Sequence, residues 1–307
     1  MTLTHMVFDV LCIGLATYDV VMTVDHHPEP DIKCLASGLL TAGGGPAANA
    51  AVAVARLGGK SAFAGYLGRD AFGEQHLQEF LQEGVDPGWI VRGSIPTPLS
   101  VVLVKPDGDR TVVCHKAQMP VLNPRELDLG ACHARIILAD GHQPWIAMEA
   151  VRQAGSSPAL VVLDAGSVHA GVLELLPHTD YLVASARFAQ DFTGKADPHA
   201  ALEVLCQHAP CVVITLGRDG LVWRNERGEG SMPAFTVDAV DTTGAGDTFH
   251  GAFALAIARG RDFPAALTFA SAAAALCCRK LGARPGAPTE QELKTFLQAP
   301  ALQVCNG

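Results

Sequence analysis

The sequence is short of aromatic residues and of positive charge. Phe, Trp and Tyr make up 6% of its 307 residues, and 22 Lys and Arg stand against 31 Asp and Glu, a formal net charge of -9. Phosphate backbones are held by clustered Lys and Arg, so the chain is a poor candidate for a nucleic-acid binder. Its densest basic stretch is "CCRKLGAR", residues 277–284. No apolar run reaches the ~18–20 residues that cross a bilayer, which argues against a membrane role. The opening "MTLTHMVFDVLCIGLA" has no basic segment ahead of its apolar run, so it reads as a buried first strand rather than a secretory leader. No C-x-x-C pair occurs. The nine cysteines are irregularly spaced, and Cys12, Cys114, Cys206, Cys211, Cys277 and Cys278 lie within apolar runs. The expectation is buried, reduced thiols in a cytoplasmic protein, with neither a disulfide frame nor a zinc site.

Familiar catalytic signatures are missing as well. No G-x-G-x-x-G follows the first strand, which argues against a dinucleotide-dependent dehydrogenase. "GGKS" at Gly58–Ser61 looks like the tail of a Walker A loop, but Val54 stands where the first glycine must be. There is no serine elbow and no H-E-x-x-H helix. His26 and His27 fall in a Pro-rich acidic loop and read as solvated, and His250 reads as a packing residue.

What the chain does have is alternation. The strand-like runs "FDVLCIGLA", "SAFAGYLG", "ARIILAD", "ALVVLDAG", "DYLVAS" and "CVVITLG" are separated by helical segments. Among these are "PAANAAVAVARLG", "AFGEQHLQEFLQEG", Trp145–Ala154 and Ala200–His208. That rhythm predicts an α/β fold in three layers, with a mostly parallel central sheet covered on both faces. Ligands then sit beyond the carboxyl ends of the strands. Tyr18–Asp25, Leu35–Thr41, Leu99–Lys105 and Arg110–His115 break the rhythm, the last two as a hairpin around "PDGD". They predict a small second sheet, a lid built from about 16–43 and 97–118, within one domain spanning 1–307.

The stretch "VDTTGAGDTFHGAF" carries the chemistry. Gly244 and Gly246 bare the backbone, and a helix starting near Ala245 directs unpaired N–H groups and a positive dipole end to that spot. This is an anion site suited to a phosphate. Asp247 then adds a carboxylate beside it. As a helix cap alone Asp247 needs no anion site. As a general base it would take the proton of an attacking hydroxyl while the bare backbone holds the phosphoryl group.

"DTTGAGDTFHGAF" resembles the C-terminal signature of the ribokinase, or PfkB, family of carbohydrate kinases. "GGGPAANAAVAVARLG" resembles its G-G-x-x-x-N motif, so the likeness spans nearly the whole chain. The resemblance implies a ribokinase-like fold and ATP-dependent phosphorylation of a small sugar, with Mg2+ and a monovalent cation such as K+. It implies Asp247 as base, and Gly244, Ala245 and Gly246 as the anion hole. Asp19, Gly44, Gly45 and Asn49 would bind sugar, and Thr215, Gly217 and Gly220 of "TLGRDG" the nucleotide. Asp241 and Thr243 would help to hold the monovalent cation through their backbone. Asp19 also reads as a turn residue, and "TLGRDG" as a plain turn between strands.

The N-x-x-E segment common in the family is altered. Ser185 stands for the Asn, which implies a nucleotide-side position, and Phe188 for the Glu. Asp140 and Asp164 are candidate substitutes for that carboxylate, or strand-end turn residues. "GGGPAA" and the altered segment look nearest to the sulfofructose-kinase branch, with Lys33 as one cationic group for an acidic sugar tail. His142 and Cys114 stand where that branch would place other groups. A ketose, a pentose, a sugar acid or a nucleoside remain as acceptors, and a non-catalytic sugar-binding protein remains as the alternative to a kinase. The open edges of the lid imply a homodimer formed through it.

Overall fold

The computed structural model describes residues 7–108, 110–116, 119–153 and 159–299. Its strands in chain order are β1 (Val7–Gly14), β2 (Thr17–Thr23), β3 (Gly38–Gly44), β4 (Ser61–Gly68), β5 (Val85–Gly93), β6 (Leu99–Val104), β7 (Arg110–His115), β8 (His133–Ala139), β9 (Leu160–Ala165), β10 (Tyr181–Ser185), β11 (Cys211–Thr215), β12 (Leu221–Asn225) and β13 (Gly228–Met232). Nine of them form one sheet in the order β13-β12-β11-β10-β9-β8-β1-β4-β5, parallel from β11 to β5, with β12 and β13 antiparallel at one edge.

The helices are α1 (Pro46–Arg56), α2 (Ala71–Glu83), α3 (Pro144–Gln153), α4 (Ala170–Leu175), α5 (Ala186–Thr193), α6 (Pro198–Leu205), α7 (Ala245–Ala258), α8 (Phe263–Cys277), α9 (Ala283–Gly286) and α10 (Glu290–Leu297). Side chains of β1 alternate between two cores. Val10 and Cys12 join α1, α7 and α8 on one face; Leu11 and Ile13 join α3 to α6 on the other. Burial on both faces is why these strands read as unbroken apolar runs. Among the described residues no helix is long and apolar enough to cross a membrane.

The four strands that broke the alternation form a separate sheet, in the order β3-β2-β6-β7. Its small core is Val21, Val102 and Val104, with Leu40 and Leu281 against it. The structure corrects two expectations here. The third strand begins at Gly38 and runs through Gly44, because it pairs with β2 from Gly38↔Thr23 to Gly44↔Thr17. Leu35 therefore lies in the preceding loop, exposed to solvent. Cys114 is exposed, not buried, because β7 is an edge strand whose residues all face solvent. Residues 109, 117, 118 and 154 of the expected hairpin, lid and helix lie outside the described residues.

α1 and α7 pack closely, and the reason is steric. A Cβ on Gly251 would lie 2.5 Å from the Ala50 carbonyl oxygen. The glycine lets the two backbones meet, and that contact brings the end of α7 bearing Asp247 to the start of α1.

Candidate active site

The site begins at the first turn of α7. Gly244 caps this helix in the left-handed conformation, φ 76°, which a side chain rarely adopts. Thr248 N–H donates to its carbonyl at 2.8 Å. A Cβ placed on Gly246 would meet nothing within 4 Å, so the bare backbone at 246 faces open space. Helix geometry leaves the first N–H groups without intrahelical partners, aimed at that space. Ala245 N–H is turned to the Thr242 carbonyl at 3.3 Å and a Cβ on Gly244 would lie 2.4 Å from Ala283 Cβ, so within the expected anion hole of Gly244, Ala245 and Gly246 the open backbone is at Gly246.

Asp247 stands one residue further on. Asn49, on the first turn of α1, donates its Nδ2–H to Asp247 Oδ2 at 2.8 Å. The carboxyl is half-buried, but packed elements surround it. Desolvation first, and the Asp164 carboxylate second, push its pKa up to about 7; the Asn49 hydrogen bond and His250 act in the other direction. Asp164, at the end of β9, is itself raised by burial, with His250 opposing. His250 bridges these elements, with Nδ1 2.6 Å from the Gly246 carbonyl, and Nε2 3.2 Å from the Val183 carbonyl and 3.3 Å from Asp164 Oδ1. A carboxyl poised near neutrality at a helix N-terminus suits a general base.

Asp19 on β2 forms the other wall. It is buried, and accepts from Thr17 Oγ1 at 2.7 Å. Burial raises its pKa, opposed by hydrogen bonds from Thr17 and Ser100 and by the Arg284 guanidinium. The "AGGGP" glycines serve different contacts. A Cβ on Gly43 would fall 2.0 Å from Arg284 Nη1, and one on Gly44 2.0 Å from Asp19 Oδ2. Gly45 has φ 97° and caps α1. Asp19 is therefore adjacent to Gly44, while Asn49, whose N–H donates to the Gly45 carbonyl at 2.8 Å, links the start of α1 to Asp247. Lys33 lies in the exposed loop between β2 and β3, without a hydrogen bond or ion pair among the described residues.

On the expected nucleotide side, Gly217 (φ 63°) faces open space, while a Cβ on Gly220 would lie 2.0 Å from the Met232 carbonyl. Gly220 is thus required by its contact with β13. Thr215 Oγ1 donates to the Ala184 carbonyl at 3.3 Å. Ser185 caps α5, accepting from Phe188 N at 2.9 Å, and donates to the Gly166 carbonyl at 2.9 Å. Phe188, where the family resemblance calls for a Glu, is fully buried, so this helix is anchored by apolar packing.

The loop before α7 is pinned by a buried carboxylate. Asp241 Oδ1 accepts from Thr243 N at 2.8 Å and Thr243 Oγ1 at 2.6 Å, and its Oδ2 from Gly282 N at 2.8 Å. Arg110 of β7 reaches Thr242 Oγ1 at 2.5 Å, and a recess of about 520 Å³ opens there, lined by His27, Lys105, Arg110, Val112 and Thr242.

The two candidate substitutes for the missing Glu part company. Asp140 is buried and holds the chain together, accepting from the N–H groups of Leu15 (2.9 Å), Ala47 (3.2 Å) and His142 (2.9 Å), and contacting His142 Nδ1 at 3.1 Å. Burial alone would raise its pKa, but His142 and these donors hold it below the usual carboxylate value. A carboxylate so occupied is a structural residue, not a free ligand. Asp164 keeps its place beside Asp247. Among the described residues no group of three or more His, Cys, Asp or Glu forms a metal cage. Mg2+ usually keeps waters and substrate phosphates around one or two carboxylates, so a site relying on Asp164 and a nucleotide fits it.

One residue absent from every expectation lies at the centre of the polar network. Arg284, the last of "CCRKLGAR", is 1% exposed. It donates to Asn49 Oδ1 at 3.3 Å and to Glu79 Oε2 at 2.8 Å, contacts His76 Nε2, and lies 4.9 Å above the Phe80 ring. Glu79 and His76 were also missed; α2 reads as an ordinary amphipathic helix. The basic stretch was visible, but not that its arginine turns inward.

The fold is a layered α/β architecture with a second, smaller sheet, and its site sets a bare helix N-terminus beside a carboxyl, an arrangement suited to phosphoryl transfer. A profile of the pfkB family of carbohydrate kinases matches residues 7–290. The chain is 30% identical over 294 residues to a ribokinase of Bacillus subtilis, covering 94% of this chain and 99% of that one. It is 33% identical over 303 residues to a fructokinase of Solanum tuberosum, covering 91% and 94%. The crystal structure of a putative ribokinase from Agrobacterium tumefaciens superposes with a TM-score of 0.84 at 30% identity, covering 95% and 98%. The chain belongs to the PfkB family, has the ribokinase-like fold, and is an ATP-dependent carbohydrate kinase, a phosphotransferase with an alcohol group as acceptor.

Proposed function

We propose that the chain transfers the γ-phosphoryl group of ATP to one hydroxyl of a free monosaccharide, a pentose or a ketohexose, with Asp247 as general base. The observation that carries this reading is the Asp247 carboxyl, with a pKa near 7, at the open N-terminus of α7 and hydrogen-bonded to Asn49. The acceptor oxygen bonds to the γ-phosphorus, the bond to the bridging oxygen of ADP breaks, and the acceptor proton passes to Asp247. The N–H groups around Gly244, Ala245 and Gly246 take up the charge of the moving group. Asp19, Gly44, Gly45 and Asn49 hold the sugar, and Lys33 meets an acidic tail where the acceptor has one. Thr215, Gly217, Gly220 and Ser185 border the nucleotide. Asp164 is the carboxylate that would hold Mg2+ together with the nucleotide, and the ion would supply charge neutralisation at the phosphates. The loop pinned by Asp241 and Thr243 is where a monovalent cation such as K+ would bind.

The small sheet acts as the lid of the sugar site in this one-domain reading, and its exposed Leu39, Val112 and Val113 support pairing with a second copy. The free thiols fit a reducing cytoplasm. A coupled assay of ADP release over pentoses, ketohexoses, sugar acids and nucleosides tests the substrate. Turnover of nucleosides alone would make it a nucleoside kinase. Sugar binding without ADP release would make it a non-catalytic binder.

A further inference from the structure

We infer that Arg284 is a positioning residue for the reaction: it fixes the orientation of the Asn49 amide, and through it the hydrogen bond that Asp247 receives. The argument rests on what each group can donate. A guanidinium has only donors. Its Nε, buried and 3.3 Å from Asn49, can be met only by the amide oxygen. The amide nitrogen must then face the other way, where it donates to Asp247 Oδ2 at 2.8 Å. Turned over, the amide would set donor against donor at Arg284 and oxygen against oxygen at Asp247. The hydrogen-bond chemistry thus selects one orientation, whichever way the two amide atoms are assigned.

Arg284 is itself held on several sides. Glu79 of α2 accepts from Nη1 at 2.8 Å and from Gly43 N at 2.6 Å. His76, buried and with its pKa driven well down by burial and by the cation, is neutral and accepts at Nε2. Its Nδ1 then carries the proton, near the Thr17 backbone but without a well-formed hydrogen bond. Asp19 of β2 adds a second negative charge nearby. Arg56, paired with Glu83, donates to the Arg284 carbonyl at 2.5 Å and so anchors its backbone. Gly43 leaves the space that the guanidinium fills. The groups that face Asp247 are Asn49 of α1, Asp164 of β9, Asp19 of β2, the Cys277 thiol of α8, which burial pushes up to about 12, and His250 of its own helix. Arg284 reaches it only through Asn49.

The inference rests on Asp247 being the base, and the test separates the two. The readout is the acid limb of the kcat profile against pH in the intact enzyme. In Asp247→Asn that limb should vanish from the residual activity; if it stays, the base assignment fails. Arg284→Met frees the amide to turn over. It should shift the limb upward by about one pH unit, since a hydrogen bond to a charged group is lost, and lower kcat at pH 7 by about fivefold, with a smaller change in sugar KM. Because Arg284→Met strands the partly buried Glu79 carboxylate, the variant Glu79→Gln/Arg284→Met is measured beside it; it removes the charge and keeps an acceptor for Gly43 N. Arg284→Lys, which keeps a donor, should restore part of the limb's position. The deciding comparison is the background Asn49→Ala: there Arg284→Met should shift the limb no further. An equal shift in that background, or no shift in the charge-balanced double variant, would overturn the inference.

Discussion

Asn49 and Asp247, 198 residues apart in sequence, are joined by a hydrogen bond of 2.8 Å between the first turns of two helices that touch through Gly251 and Ala50. The G-G-x-x-x-N motif and the G-A-G-D motif thus meet at one carboxyl oxygen.

Replacing that carboxyl should stop catalysis without weakening the fold. Asp247→Asn is expected to lower kcat by roughly 10²–10⁴ while leaving sugar affinity nearly unchanged. Stability has its own sign. The Asp247 pKa is about 7 in the folded protein against 3.8 for a free aspartate, so the folded state holds the proton more tightly. The carboxyl costs nothing below pH 4, increasingly opposes folding from about pH 4 to 7, and its cost is full above that. In thermal unfolding the Asp247→Asn variant should therefore have a higher Tm than wild type at pH 8 and match it near pH 4. A variant less stable at pH 8 would contradict the raised pKa.

Two glycines on one helix should answer an added methyl in opposite ways. Gly246→Ala meets open space and gains helix propensity, so Tm should hold or rise slightly, but the methyl enters the anion hole and kcat should fall at least tenfold. Gly251→Ala drives a Cβ to 2.5 Å from the Ala50 carbonyl and should cost about 1–3 kcal/mol in denaturant unfolding. Full activity in Gly246→Ala would remove Gly246 from the phosphoryl site.

Lys33 tests the charge of the acceptor. A charge-assisted contact shielded from water is worth about 1.5–3 kcal/mol. Lys33→Ala should therefore raise KM by about tenfold for an acceptor with an acidic tail and leave neutral sugars unchanged. Equal, small effects on both kinds would confine the enzyme to neutral sugars and leave Lys33 a solvated loop residue.

The small sheet should hold two copies together. Leu39 is 68% exposed and Val113 66%, on its two edge strands β3 and β7. Sedimentation at micromolar concentration is expected to give a dimer, and Leu39→Lys with Val113→Lys a monomer. A monomeric wild type would rule out pairing through this sheet.

The layered α/β architecture follows from the order of residues alone, because strands buried on both faces must be apolar throughout and helices between parallel strands must be amphipathic. The same holds for the placing of Gly244 to Asp247 at a helix start, since cap, bare backbone and carboxylate are local in the chain, whereas the raised pKa of Asp247 comes from burial and from Asp164, far off in sequence. Four strands separate from the main sheet for a like reason: a hairpin turn and the lack of an intervening helix are local signals. Which charges face inward is instead a matter of tertiary packing. Arg284 and Glu79 look like surface residues in any window of sequence, and only the space left by Gly43 and the meeting of α1, α2 and α9 bury the arginine and pair it with a half-buried glutamate. Asp140 and Asp164 both end strands, yet one is used up by three backbone N–H groups and the other stands beside Asp247. That difference depends on which loops fold back over each strand end, and the contacts responsible, such as Leu15 to Asp140, span 125 residues.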